Sequence, residues 1–257
     1  MTIIVGMLSR DGIVMGADSE ESTTDLKKSV QKLFPLRTSD GSYLIAGGAG
    51  PGYLVDAITQ ELWKDFLPAS FENILQIQQE IADRVHRFYK EHVLAWPTIQ
   101  EREANDFSLL LGVSVRSEKS DNYAHYLWIV EKGVLRPAGP SAAIGMGAMY
   151  ANILMDNLHG FYSAASTSLI AIDTIRRVKR DTPWCGKDTS IWCVKNGRWV
   201  SILDDRIERA EKLLQKFEDA TTRQFLETVI FDGPGDQREE FVSLRKDFRK
   251  LISEFGC

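Results

Sequence analysis

The sequence predicts an α+β fold in which two antiparallel sheets are covered by pairs of helices. Three observations predict it. Apolar, β-branched runs come in pairs about Gly-containing turns, which is a hairpin signal. Two pairs of segments between those runs carry apolar residues at helical spacing. The order is strands, two helices, strands, two helices, strands, then a charged tail, which favours α+β layers over alternating βαβ units.

Each element follows from its residues. Thr2 to Leu8 is apolar, Ser9-Arg10-Asp11-Gly12 carries turn chemistry, and Ile13 to Ala17 resumes the apolar run. Val30 to Leu36 and Ser42 to Ala46 make a second pair, joined by Arg37-Thr38-Ser39-Asp40-Gly41. Gly47-Gly48-Ala49-Gly50-Pro51-Gly52 excludes a helix interior. Tyr53 to Phe66 then places Leu54, Ala57, Ile58, Leu62 and Phe66 at helical spacing. Phe71 to Val93 sets Ile74, Ile77, Ile81, Val85 and Phe88 on one stripe, opposite a polar face. Trp96 to Asn105 is polar and reads as a loop.

Strands return at Phe107 to Val115 and Tyr123 to Val130, with short additions at Gly133 to Arg136 and Ala142 to Ile144. Helices follow at Ala148 to Leu158 and Ala164 to Val178. Ser190 to Val194 and Trp199 to Leu203 form a last hairpin about Asn196-Gly197. From Asp204 the chain is amphipathic and helical, broken by Asp232-Gly233-Pro234-Gly235. Residues 1–203 therefore read as the sandwich and 204–257 as a helical extension.

Composition narrows the function classes. A chain of 257 residues buries a core without needing disulfides or metals. Cys185, Cys193 and Cys257 make no disulfide framework, so a reducing, cytoplasmic setting is expected. A net charge of -5 argues against nucleic-acid binding through bulk charge. No apolar run reaches the roughly 18 residues of a membrane span, and MTIIVGMLSRDG lacks the features of a secretory signal. His86, His92, His125 and His159 fall in no His-Glu-x-x-His pair, and no Cys-x-x-Cys occurs, so neither metal nor cofactor is expected. The glycine-rich run lacks the Lys-Ser/Thr ending of a P-loop and reads as a tight strand-to-helix connection.

Met1-Thr2 is the sharper feature. Removal of Met1 leaves a residue that carries both a hydroxyl and a free α-amine. An α-amine with a pKa of about 7.7–8.0 is a usable base near neutrality. The pair is a recognised way to activate a weak hydroxyl nucleophile.

The residues that follow carry a resemblance. TIIVGMLSRDGIVMGADS, KKSVQKLF and YLIAGGAGPGYLVDAI resemble the start of a proteasome β-type subunit, clearly over residues 2–60 and more weakly to about residue 203. The chain is similar to the bacterial proteasome-like homologues that begin directly at Met-Thr. The resemblance implies a four-layer αββα sandwich of the N-terminal-nucleophile hydrolase type, with a C-terminal helical extension. It further implies a threonine-type endopeptidase in a self-assembling homo-oligomeric ring, acting on peptides or unfolded protein, with an unfoldase as a possible partner.

It also implies roles by position. Thr2 matches the nucleophile, and Lys32 and Asp18 match the catalytic lysine and the carboxylate that orients it. Gly47 matches the glycine whose N–H forms the oxyanion hole, where negative charge develops on the scissile carbonyl. Ser22 falls where a short hydroxyl residue pairs with the substrate backbone. Ile45 falls at the floor of the specificity pocket, with Val30 and Ala49 as walls and Glu21 at the rim. Asp181 matches an aspartate of the supporting shell.

Three positions depart from the pattern. Met146 stands where an assisting serine is expected, Cys185 where serine is common, and Glu20 where arginine is frequent. A catalytically weak or inactive scaffold subunit is therefore the alternative reading.

Overall fold

The Ser9–Gly12 turn folds β1 (Ile3–Ser9) back on β2 (Gly12–Asp18), pairing Ile4 with Ala17 and Leu8 with Ile13. The computed structural model describes residues 2–22, 27–39, 41–64, 73–116, 123–156, 162–183, 185–195, 197–225 and 238–257. Beyond β2 come a short ribbon, β3 (Glu20–Ser22) with β4 (Lys27–Ser29), and then β5 (Leu33–Arg37) and β6 (Tyr43–Ala49). Helices α1 (Gly52–Lys64), α2 (Ile74–His92) and α3 (Ile99–Ala104) follow. The chain continues through β7 (Ser108–Arg116), β8 (Tyr123–Glu131), β9 (Val134–Pro137) and β10 (Ser141–Gly145). Next are α4 (Ala148–Asp156), α5 (Ala164–Asp181), β11 (Thr189–Lys195) and β12 (Arg198–Ser201).

These strands form two five-stranded antiparallel sheets, ordered β10-β1-β2-β11-β12 and β5-β6-β7-β8-β9. Side-chain alternation along β6 decides what each residue meets. Tyr43, Ile45 and Ala49 join Ile4, Ile13, Met15, Leu110 and Leu127 in a core to which both sheets contribute. Leu44 and Ala46 join Leu54, Ile58 and Leu62 of α1 and Ile77, Ile81 and Val85 of α2. Because both faces of β6 are buried, its sequence is apolar throughout rather than alternating. On the other sheet, α5 packs on β1, β2 and β11, and α4 packs on β10. The fold is mixed α+β, as the order of elements predicted.

Some local expectations fail for identifiable reasons. The polar stretch Trp96 to Asn105 holds α3, nucleated by a capping box in which Thr98 and Glu101 satisfy each other's backbone N–H groups. The β3–β4 ribbon escapes periodicity because each strand has three residues. Val30 to Lys32 precede β5 instead of opening it. Asp232-Gly233-Pro234-Gly235, like Phe66 and Leu158, lies outside the described residues.

The chain divides into two compact units, Met1–Ser201 with Cys257, and Ile202–Gly256. The second holds α6 (Asp204–Phe225) and α7 (Arg238–Glu254), packed on each other. The Phe217 ring meets Phe241 and Phe248 edge-on at 6.0 and 6.2 Å, and Arg209 pairs with Glu254 at 2.7 Å. Among the described residues, no helix is long and apolar enough to cross a membrane.

Candidate active site

Thr2 is held from both sides of its peptide group. Its carbonyl accepts a hydrogen bond from the Met146 N–H at 2.9 Å, and the next amide, Ile3 N–H, donates to Asp18 Oδ1 at 3.0 Å. The Met146 contact depends on Gly145, whose φ is +95°. A Cβ there would lie 2.1 Å from the Thr2 carbonyl oxygen, so only glycine allows the approach.

Asp18 closes β2 and is almost wholly buried, as is Lys32 in the segment before β5. The Lys32 ammonium donates to Asp18 Oδ1 at 2.7 Å and to the Glu20 carbonyl at 2.5 Å. Gly186 N–H donates to the other carboxylate oxygen, Oδ2, at 3.1 Å. Asp18 is thus satisfied by one ammonium and two backbone amides, which is what a buried carboxylate requires. Burial pushes the Lys32 ammonium below its usual pKa, against the opposing pull of the Asp18 charge and hydrogen bond. Cys185, buried close enough to feel both charges, has its thiol pushed up chiefly by burial.

Two cavities have Thr2 in their walls. One, of about 760 Å³, is also lined by Lys32, Val30, Gly48, Glu21 and Asp56. The other, of about 600 Å³, is lined by Ala49, Gly145, Met146, Asp106 and Glu131. Thr2 therefore borders open space on two sides.

Of the residues predicted from sequence, Thr2, Asp18 and Lys32 come together, and Val30 and Ala49 each line one cavity. Three other residues lie away from these cavities or deeper in the fold. Gly47 lies in the inter-sheet core, where an added Cβ would meet Ile4 Cγ2 at 2.8 Å, and Gly48 lines the cavity instead. Ile45 is fully buried in that same core and lines neither cavity. Asp181 is exposed at the end of α5, and its described hydrogen bonds go to Tyr150 Oη at 2.8 Å and to Arg180. Ser22 ends β3, and its side chain lies outside the described residues.

Strand alternation accounts for the placement of Gly47 and Ile45 in the core and of Gly48 at the cavity. Adjacent glycines give no sequence mark of which one faces the site, and a shift of one residue reverses every side chain in a strand. Asp56 was missed because on α1 it reads as an ordinary solvated carboxylate. Glu21 does reach the cavity, pairs with Lys28 at 2.8 Å, and rests over Gly52, where a Cβ would lie 2.6 Å from Oε1. Among the described residues, no group of three or more His, Cys, Asp and Glu side chains is arranged to hold a metal.

No protein-family model matches the sequence, and no curated protein does. Solved structures match the fold. Anbu (ancestral beta-subunit) from Yersinia bercovieri superposes with a TM-score of 0.70 at 14% identity, over 86% of this chain and 97% of that one. A Gly-1 mutant of Anbu from Hyphomicrobium sp. strain MC1 gives 0.70 at 14% identity, over 88% and 96%. A helical assembly of the Anbu complex from Pseudomonas aeruginosa gives 0.66 at 16% identity, over 86% and 96%. These matches overturn the resemblance to proteasome β-type subunits: the structural relatives are Anbu proteins, which are proteasome-like but distinct. At such low identity the likeness establishes the fold, and the chain shares the fold of the Anbu ancestral beta-subunits.

Proposed function

We propose that this chain is an N-terminal-nucleophile hydrolase, built on a four-layer αββα sandwich, that cleaves peptide bonds with Thr2 after removal of Met1. The reading rests on one observation above others. The buried Asp18–Lys32 pair is fastened to the amide that follows Thr2, with Lys32 and Thr2 in the wall of one cavity.

In this scheme the α-amine of Thr2 takes the proton from its own hydroxyl, and Oγ1 attacks the scissile carbonyl. The Lys32 cation disfavours protonation of the amine and steadies the negative charge that develops. The Gly48 N–H, in place of Gly47, supplies the oxyanion donor. Collapse of the tetrahedral intermediate releases the amine product and leaves an ester on Thr2, which water then hydrolyses. Peptides or unfolded segments suit a site open on two sides. A self-assembling homo-oligomer is part of the proposal, supported by the helical assembly described for the Pseudomonas aeruginosa Anbu complex.

Intact-mass analysis before and after a threonine-directed β-lactone tests the reading. The expected result is loss of Met1 and one adduct that maps to Thr2 and disappears in Thr2→Ala. Retained Met1 with no adduct, or full peptide turnover by Thr2→Ala, overturns it.

A further inference from the structure

The smaller of the two cavities beside Thr2 is the more acidic. Asp106 precedes β7 and Glu131 ends β8, and the pairing of Ser108 with Glu131 brings both carboxylates to one end of these strands. Both line the cavity of about 600 Å³, and none of its described lining residues is Lys, Arg or His. The larger cavity differs, because Lys28 and Lys32 stand beside its Glu21 and Asp56.

Asp106 is fixed in place without being neutralised. Its Oδ1 accepts the Tyr89 hydroxyl at 3.0 Å and the Phe107 N–H at 2.9 Å. Burial and the Asp106 hydrogen bond push the Tyr89 hydroxyl up to about 12, so it stays a neutral donor. Neither bond brings a cation to the carboxylate. Glu131 does pair with Arg136, at 2.6 Å, but both side chains are about half exposed, where such a pair is weak and easily exchanged. Ala49, Ile144 and Met146 add apolar wall, which suits the aliphatic stem of a lysine or arginine.

Thr2, Gly50 and Pro51 line both cavities, so the two adjoin at Thr2. Lys32 and Gly48 belong to the larger one, and in the proposed hydrolysis they act on the acyl carbonyl. The smaller cavity is then left for the departing side. We propose, on the reading of Thr2 as nucleophile, that the smaller cavity receives the residue after the cleaved bond and that Asp106, with Glu131, selects Lys or Arg there. The substrate class is a peptide or unfolded segment whose departing fragment begins with a basic residue. As the tetrahedral intermediate collapses, the C–N bond breaks and the new amine carries off the proton that the Thr2 amine took up. Asp106 holds the side chain of that fragment and moves no proton.

The test uses the full chain and three quenched fluorescent peptides that differ only after the cleaved bond, with Lys, Ala or Glu there. Mass spectrometry maps the cut. The expected order of kcat/KM is Lys, Ala, Glu, with Lys about five- to tenfold above Glu. Added salt should narrow that ratio. Asp106→Asn with Glu131→Gln removes both charges while keeping an acceptor for Tyr89, and the ratio should fall below about twofold. Equal cleavage of the three peptides, or a ratio that the double variant leaves unmoved, overturns the inference. If Thr2 still takes the β-lactone in that case, the hydrolase reading stands and only the role of this cavity falls. Absence of any adduct on Thr2 overturns both.

Discussion

Asp18 and Lys32 meet through a 2.7 Å hydrogen bond at an oxygen that also accepts the Ile3 amide at 3.0 Å. The same contact therefore positions the start of the chain and satisfies a buried cation. Asp18→Ala leaves the Lys32 ammonium without its carboxylate, and unfolding in urea should show a loss of about 3–5 kcal/mol. Lys32→Met removes charge stabilisation at Thr2, and the rate of β-lactone labelling should fall by about 100-fold or more.

Gly145→Ala should injure the site through the backbone. The new Cβ would lie 2.1 Å from the Thr2 carbonyl oxygen at a φ of +95°. Strain of about 1–3 kcal/mol should appear in thermal unfolding. Thr2 labelling should slow by at least about tenfold, because small misplacement of a nucleophile is costly. An unchanged labelling rate would show that the Met146 N–H contact does not fix Thr2.

The larger cavity carries two carboxylates, Glu21 and Asp56, against Lys28, while Lys32 is already committed to Asp18. Peptides with Lys or Arg before the cleaved bond should therefore be cut about 5–10 times faster than those with Glu. Asp56→Lys should reverse that order in a fluorogenic peptide panel. Preference for Glu in the unaltered protein would count against the cavity as the specificity pocket.

Asp181 should matter little. Its carboxylate is exposed and its described hydrogen bonds go to Tyr150 and Arg180. Asp181→Asn should change the labelling rate by less than about threefold, measured beside Lys32→Met as the contrast. A loss approaching that of Lys32→Met would restore Asp181 to the machinery.

His125 sets a pH limit on stability. Burial holds its imidazole below the ordinary value of 6.5, outweighing the field of Asp11, and the buried Nδ1 has no partner among the described residues. The unfolded chain thus binds this proton more readily than the folded one. Stability should be flat above about pH 6.5 and fall as pH drops toward the lower folded value. His125→Phe should remove that segment of a plot of melting temperature against pH.

The sequence by itself determined the succession of hairpins and helix pairs, since each sheet and helix face is written in apolar spacing. It also offered Thr2 as a hydroxyl residue next to Met1. Asp18 and Lys32 stand out only through the resemblance, since by residue type alone they read as a turn carboxylate and a solvated lysine. The likeness to proteasome β-type subunits did not survive, because the solved structures that match the fold are Anbu proteins. Register was decided only by tertiary structure. Two adjacent glycines look alike until β6 is laid between its neighbours, and packing then sends Gly47 and Ile45 into the core and Gly48 to the cavity. Long-range approach decided the rest: Asp56 arrives on α1, Gly186 reaches Asp18 from 168 residues away, and Asp181 pairs with Tyr150 rather than with Thr2. Spacing along a chain records which face a residue occupies, whereas which faces meet depends on how layers stack.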